Sequence, residues 1–217
     1  MPRVLITAGP THEPVDDVRY LANRSSGRMG IALADAAAAR DWPVTLLLGP
    51  VERLPEHPAI SIRRFVTTPD LKALLEELWP LHDLLIMAAA VADYRPRRAT
   101  VAKLSRDEGP LTLELEPTED LLAAMSAHTR PDQKRVGFAL EPAAALMESA
   151  RQKLSRKQLD AIVANPLETM DADTATAHLL LKDGRTIDAP ADLAKREFAA
   201  WLVHHIESHV LHVDHGD

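Results

Sequence analysis

The sequence predicts a doubly wound α/β fold, in which a mainly parallel sheet is covered by helices on both faces. Short apolar runs that are typical of buried strands alternate with segments that are typical of helices, and this spacing indicates βαβ crossovers. Two of the runs end at glycine-proline pairs, Gly9-Pro10 and Gly49-Pro50, as expected where a buried strand reaches the edge of the sheet. In such folds ligands bind beyond the carboxyl ends of the strands.

The first half of the chain supplies four predicted strands and two predicted helices. Apolar or alternating runs predict the strands at residues 3–8, 44–48, 60–66 and 84–92. An alanine-rich helix is expected over residues 26–40, with Ser26 as its cap. A second helix is expected from about residue 68 to 79, with Thr68 as its cap and Pro69 at its first position.

The second half begins with a polar, basic stretch, residues 95–110, which we predict to be a flexible flap. An alternating, strand-like run (LTLELE) follows it. Two further strands are expected at residues 135–140 and 159–164, and two helices at residues 118–128 and 143–158. A hairpin that turns at Asp183-Gly184 is expected over residues 178–187, and a last amphipathic helix over residues 191–211. We expect residues 1–217 to form a single domain, with a histidine-rich tail at about 204–217.

The composition excludes several classes of function. The chain has no cysteine, which excludes disulfides, thiolate metal sites and thiol nucleophiles. Its net charge of −7 argues against a nucleic-acid partner. No apolar run approaches the roughly 18 residues of a membrane span, and the N-terminus lacks a signal-peptide pattern. We therefore expect a cytoplasmic enzyme or binding domain without a membrane partner.

Glycine is scarce, with eight residues where a usual share of ~7% would give about twice as many. We expect five of them to stand where a side chain would obstruct a neighbour: Gly9, Gly27, Gly30, Gly49 and Gly137. Ser25, Ser26 and Gly27 open a helix, where unpaired N–H groups and the helix dipole favour an anion. A plain helix cap is the alternative there.

No G-x-G-x-x-G follows the first strand, which disfavours an NAD(P)-dependent reductase. The string TAGPTHEPVDDVRYLANRSSGRMG, followed in order by AAAVADYRP, VGFALE and ARQKLSRKQLDAIVAN, resembles the phosphopantothenate–cysteine ligase family of coenzyme A biosynthesis. The resemblance covers nearly the whole chain. It implies a Rossmann-like fold and a ligase that joins 4′-phosphopantothenate to cysteine through an acyl-cytidylate, consuming CTP and releasing CMP and pyrophosphate.

The resemblance also assigns site residues and partners. It implies catalytic roles for Asn23 and Lys103. Nucleotide contacts are implied at Ala88, Ala89, Asp93, Lys103, Asp120, Phe138, Lys153 and Lys157. Contacts to the substrate phosphate and carboxylate are implied at Arg19, Asn23, Ser25, Ser26, Gly27 and Ala90. Mg²⁺ is expected to arrive with the nucleotide, with Asp93 as its one candidate protein ligand, and no flavin is expected. We also expect a homodimer and a separate flavoprotein decarboxylase partner.

Several features leave alternatives open. Lys153 and Lys157 lie four residues apart, so without an intervening acid they repel each other unless an anion bridges them; an exposed basic face is the alternative. This sequence departs from the family pattern at three places. The flap has Ser105-Arg106 where the family favours lysine. Thr118-Glu119 occurs where the family has Asn-Pro, and Asn165 is followed by Pro166 where the family has aspartate. These departures favour a rival function, a nucleotide-binding regulatory module without catalysis.

A histidine cluster near the C-terminus is predicted to be a solvated tail, with zinc or nickel binding as the alternative. It comprises His204, His205, His209, His212 and His215.

Overall fold

The computed structural model describes residues 1–100, 102–104, 109–167 and 174–211. Its centre is an eight-stranded sheet. In chain order the strands are β1 (Val4–Ala8), β2 (Val44–Leu48), β3 (Ser61–Arg64), β4 (Leu84–Met87), β5 (Lys134–Glu141), β6 (Ala161–Pro166), β7 (His178–Leu181) and β8 (Thr186–Asp188). Across the sheet they lie in the order β8-β7-β6-β5-β4-β1-β2-β3. This architecture confirms the predicted fold class.

The first six strands pair in parallel, and the hairpin β7–β8 is added antiparallel to β6. From β1 the chain first builds outward through β2 to β3, and then returns to place β4 on the other side of β1. The winding direction therefore reverses between β1 and β4. Where this happens, the two crossovers leave on opposite sides and open a crevice at the carboxyl ends of the strands.

Helices cover both faces of the sheet, as the apolar strand sequences require. The helices are α1 (Arg28–Ala38), α2 (Thr68–Leu78), α3 (Leu121–Ala124), α4 (Leu146–Arg156) and α5 (Lys195–Ile206). Helices α1 and α5 pack together on one face, where Ile6 of β1 belongs to the buried core. Helices α2, α3 and α4 bury the other face, where Leu5 points. Alternate side chains of β1 thus pack into two different hydrophobic cores, one on each face of the sheet.

The structure corrects several predicted boundaries. Helix α1 begins at Arg28, after Gly27, which has a φ of 69° and no side-chain capping bond, so Ser26 is not the cap. Helix α2 is capped by Thr67, not Thr68, because the Thr67 side chain accepts the Asp70 N–H. The predicted strand 84–92 ends at Met87, since the following residues leave the ladder except for a bridge between Pro10 and Ala90.

Other elements are shorter than predicted. The helix expected over 118–128 is a single α-helical turn, α3, continued by a 3₁₀ turn at Met125–His128. The strand-like LTLELE run pairs only at Leu115–Pro117, with Tyr94–Pro96 at the base of the predicted flap. Helix α5 continues as a π-helical turn to Leu211, and the tail at 212–217 lies outside the described residues. None of the helices described is long and apolar enough to cross a membrane.

Two of the five singled-out glycines are required by close approach. A Cβ on Gly30 would lie 2.5 Å from the Cβ of Ala8, so α1 can pack this closely against β1 only because residue 30 has no side chain. A Cβ on Gly49 would lie 2.3 Å from the Pro10 carbonyl oxygen. The turns after β1 and β2 therefore touch backbone to backbone, which brings the start of α1 and the end of β1 to the crevice.

Gly30→Ala tests this packing, because in most helices the substitution raises the free energy of unfolding, whereas here we expect it to lower that free energy. In an exposed helix, alanine is favoured over glycine by about 1 kcal/mol. Here the added methyl overpacks α1 against β1, and we expect a net loss of about 1–3 kcal/mol in the free energy of unfolding, measured in urea. A stability equal to or above that of the wild type would contradict the close approach.

Candidate active site

The crevice between β1 and β4 holds a cleft with two lobes. The larger lobe has a volume of about 590 Å³ and the smaller one about 260 Å³. They adjoin each other, because five residues line both: Arg24, Ala89, Ala90, Phe138 and Leu140. The cleft thus lies at the reversal point of the sheet, where the fold class predicts a ligand.

The floor of the cleft is residues 88–92 (AAAVA), which we call the alanine segment. Because it leaves the β4 ladder, its backbone needs other partners. The Ala90 N–H donates to the Gly9 carbonyl at 2.9 Å. The hydroxyl oxygens of Thr7 and Thr11, both fully buried, accept the N–H groups of Ala89 and Ala92, each at 3.0 Å. Small side chains on a fixed backbone leave room for a planar ligand.

Two side chains hold the alanine segment from the solvent side. The Asn23 amide Nδ2 donates to the Val91 carbonyl at 2.9 Å, which fixes Asn23 over the segment. The Thr118 hydroxyl donates to the Ala92 carbonyl, and the Thr118 N–H donates to the Asp93 carbonyl at 2.9 Å. Thr118, a departure from the family pattern, thus has a clear structural role in shaping the larger lobe.

The larger lobe is walled by α4 on one side. Each of its two predicted lysines has its own acidic partner: Lys153 Nζ lies 2.5 Å from Glu141 Oε1, and Lys157 Nζ lies 2.9 Å from Asp120. The hydrogen bond from Lys153 lowers the pKa of the Glu141 carboxyl below its ordinary value. The pairing removes the repulsion expected between the lysines, so the geometry does not by itself require a bridging anion.

The smaller lobe is built around the start of α1. Ser25, Ser26 and Gly27 line it, and the Gly27 N–H donates to the Ser25 hydroxyl oxygen at 3.3 Å. Among the described residues that line this lobe, three are basic and none is acidic; the basic ones are Arg24, Arg28 and Lys195. Positive side chains next to a helix N-terminus suit an anion.

Most predicted site residues meet in this cleft. The larger lobe contains Asn23, Ala89, Ala90, Asp93, Asp120, Phe138, Lys153 and Lys157. The smaller lobe contains Ser25, Ser26, Gly27 and Ala88, and shares Ala89, Ala90 and Phe138.

Arg19 and Lys103 line neither lobe. Arg19 forms an ion pair with Asp16 at 3.2 Å and donates to the Leu104 carbonyl at 2.9 Å. The exposed Lys103 precedes Leu104, whose N–H is bound by Asp16. Arg19 and Lys103 therefore lie close to each other, on either side of the contacts to Leu104, and neither lines the cleft.

The predicted flap is only partly described. Arg95 pairs with Glu116 at 2.8 Å and Arg97 with Glu114 at 3.8 Å, across the ladder at its base. These two basic residues of the predicted flap therefore have acidic partners on the opposite strand. Residues 101 and 105–108, which include Ser105 and Arg106, lie outside the described part of the chain.

The sequence analysis did not assign four basic residues of the cleft, which are Arg24, Arg28, Arg156 and Lys195. Arg24 faces both lobes, and its place beside Asn23 was a usable signal. Arg156 of α4 lies three residues after Lys153, on the same side of the helix. Lys195 comes from the start of α5 and is brought in by the packing of α5 on α1, so no local pattern predicts it.

The part of the chain that the structure describes contains no group of three or more histidine, aspartate or glutamate side chains placed to hold a metal ion. Within the histidine cluster, the ring of His205 stacks on that of His209 at 5.5 Å and meets that of His204 edge-on at 5.2 Å. His212 and His215 lie outside the described residues, so the metal alternative stays a prediction.

Known proteins resemble this chain over almost its full length. The cysteine/cysteine sulfinic acid decarboxylase of an unknown prokaryotic organism is 45% identical over 166 residues, which are 76% of this chain and 46% of that protein. The coenzyme A biosynthesis bifunctional protein CoaBC of Escherichia coli (strain K12) is 37% identical over 207 residues, 92% of this chain and 50% of that protein. The chain thus spans about half the length of the curated relatives it matches.

The crystal structure of the C-terminal domain of a CoaBC protein superimposes with a TM-score of 0.81 at 34% identity, covering 96% of this chain and 95% of that one. Residues 1–210 match the family described as the DNA/pantothenate metabolism flavoprotein C-terminal domain (DFP). On this family match and these relatives, the chain belongs to the DNA/pantothenate metabolism flavoprotein C-terminal domain family.

Proposed function

We propose that the protein is a phosphopantothenate–cysteine ligase, which forms an amide between 4′-phosphopantothenate and cysteine at the expense of CTP. The observation that carries this proposal is the two-lobed cleft: a cationic lobe at the start of α1 joins a lysine-walled lobe across the alanine segment. Family membership and the CoaBC relatives, named for coenzyme A biosynthesis, support it.

In this proposal the smaller lobe holds the phosphate of 4′-phosphopantothenate. Ser25 to Gly27 present the start of α1, and Arg24 and Lys195 add positive charge. A dianionic phosphate at a helix N-terminus is favoured both by the helix dipole and by free N–H donors. The pantothenate carboxylate then extends toward the seam between the lobes, which is formed by the residues that line both; Asn23 of the larger lobe is next in sequence to one of them, Arg24.

The larger lobe holds the nucleotide. The small side chains of the alanine segment and the ring of Phe138 accommodate the base, while Lys153 and Lys157 neutralise the phosphates. Glu141 and Asp120 keep the two ammonium groups in place before the nucleotide arrives. Asp93, the acidic residue that follows the alanine segment, would contact Mg²⁺ bound to the triphosphate, and that ion would neutralise part of the phosphate charge.

The chemistry occurs at the seam. The substrate carboxylate attacks the α-phosphorus of CTP and pyrophosphate leaves, giving an acyl-cytidylate. The cysteine amine then attacks the acyl carbon and CMP leaves with the bonding electrons, while the amine loses a proton. Asn23 uses one amide hydrogen on Val91 and has a second for the developing negative charge. The protein works by positioning and charge neutralisation.

We also propose a catalytic role for Lys103, a substrate contact of Arg19 and the use of CTP in preference to ATP. The proposal further includes a single-domain organisation, a homodimer, a cytoplasmic location and a separate flavoprotein decarboxylase. A nucleotide-binding module without catalysis is the rival. Thr118, one of the departures that favour the rival, has a structural role in the cleft, so it does not by itself argue against turnover.

Pyrophosphate release separates the ligase from its rival. With 4′-phosphopantothenate and CTP alone we expect a burst of about one pyrophosphate per site, and with cysteine added we expect continuous release and CMP formation. The same assay with ATP determines the nucleotide preference. Nucleotide binding in calorimetry without any release of pyrophosphate would contradict the ligase and establish the binding module.

The lysines of α4 can be tested against a neighbour on the same helix. Lys153→Met or Lys157→Met should raise the nucleotide KM or lower kcat by tens-fold, because a charge-assisted contact is worth about 2–3 kcal/mol. Arg151→Met is the control, since Arg151 is exposed on α4 and does not line the lobe. Wild-type kinetics in both lysine variants would return these residues to an exposed basic face.

A further inference from the structure

We propose that Arg135, a buried arginine of β5, is a positioning residue for the nucleotide lobe. It touches no substrate. It holds together the two chain segments whose side chains, Asp120 and Lys157, form one wall of that lobe. The inference rests on the proposed function for its ligand, and on the contacts of Arg135 for its mechanism.

Arg135 is only 3% exposed, and it contacts the backbone of residues that line the lobe. Its Nη1 donates to the Leu122 carbonyl of α3 at 3.0 Å. Its Nη2 donates to the carbonyls of Lys157 at 3.2 Å and Gln158 at 2.7 Å, just past the end of α4. One planar group therefore joins two segments that are otherwise separate in the chain.

Those two segments carry the functional side chains. Asp120 caps α3 by accepting the Ala123 N–H at 3.1 Å, and in the same wall it accepts a hydrogen bond from Lys157 Nζ at 2.9 Å. The Arg135 bonds to the carbonyls of Leu122 and Lys157 hold the two segments at this separation. A shift of either segment would move a cation or its partner carboxylate relative to the nucleotide.

The chain after α4 turns in a Schellman motif, in which the Leu159 N–H donates to the Leu154 carbonyl and the Gln158 N–H to the Ser155 carbonyl, each at 3.0 Å. Gln158 takes the left-handed conformation that this motif requires, with a φ of 51°. This turn aims the carbonyls of Lys157 and Gln158 at the guanidinium. A lysine at position 135 has a single ammonium group and cannot reproduce the rigid fork that reaches both segments.

Arg135→Lys is the test, with Arg130→Lys as its matched control. Arg130 also donates to a backbone carbonyl, that of Pro80 at 2.7 Å, but it is exposed and does not line the lobe. We expect Arg135→Lys to weaken CTP binding about tenfold in calorimetry, as expected for a lost charged hydrogen bond, and to leave the affinity for 4′-phosphopantothenate unchanged. Amide hydrogen exchange in the ligand-free protein should become faster at 121–124 and 157–159.

Wild-type CTP affinity and exchange in Arg135→Lys would overturn the inference. Equal weakening of both ligands would also overturn it, because a general loss of stability would be the cause. Arg135→Gln is the second variant, and if both variants lack a cooperative melting transition, Arg135 belongs to folding alone and the inference fails. If the wild type binds neither CTP nor ATP, the proposed function fails, and the exchange rates still decide whether Arg135 holds the wall.

Discussion

The structure of the cleft depends on how the alanine segment is held after it leaves the sheet. At the reversal point the chain cannot continue the β4 ladder, and an unpaired buried N–H costs about 1–3 kcal/mol. Thr7 and Thr11 supply buried hydroxyl oxygens to two of these N–H groups. Beside Thr11, the Thr68 hydroxyl donates to the buried carboxylate of Glu13 at 2.7 Å, which ties this network to the start of α2.

Charge is distributed so that the cleft contrasts with the whole chain. The protein carries a net charge of −7, yet the smaller lobe is lined by basic side chains, and the lysines of the larger lobe are held by carboxylates. Paired lysines are ordered before a ligand arrives, so less side-chain entropy is lost on binding. An incoming triphosphate offers several negative oxygens where Glu141 and Asp120 offer one carboxylate each.

The sequence predicts the fold class from local patterns, whereas most of the predicted cleft residues follow from the family resemblance. Apolar runs locate the six parallel strands, and the carboxyl ends of β1 and β4 locate the alanine segment. Features that depend on distant contacts could not be predicted. Lys195 reaches the smaller lobe only because α5 packs on α1. Arg19 forms an ion pair with Asp16, and no local sequence pattern predicts this pair.

The predicted helix caps were wrong for a different reason. Ser26 and Thr68 are good capping residues, but the left-handed backbone of Gly27 precedes α1, and Thr67 caps α2 through its bond to the Asp70 N–H.

We propose above all that two ligands occupy two lobes joined by the alanine segment. Amide hydrogen exchange of the wild type with each ligand alone tests it most directly. CTP should slow exchange at 118–124 and 153–159, 4′-phosphopantothenate at 25–30, and each at 88–92. Protection of one and the same lobe by both ligands, or no change at 88–92, would contradict the account.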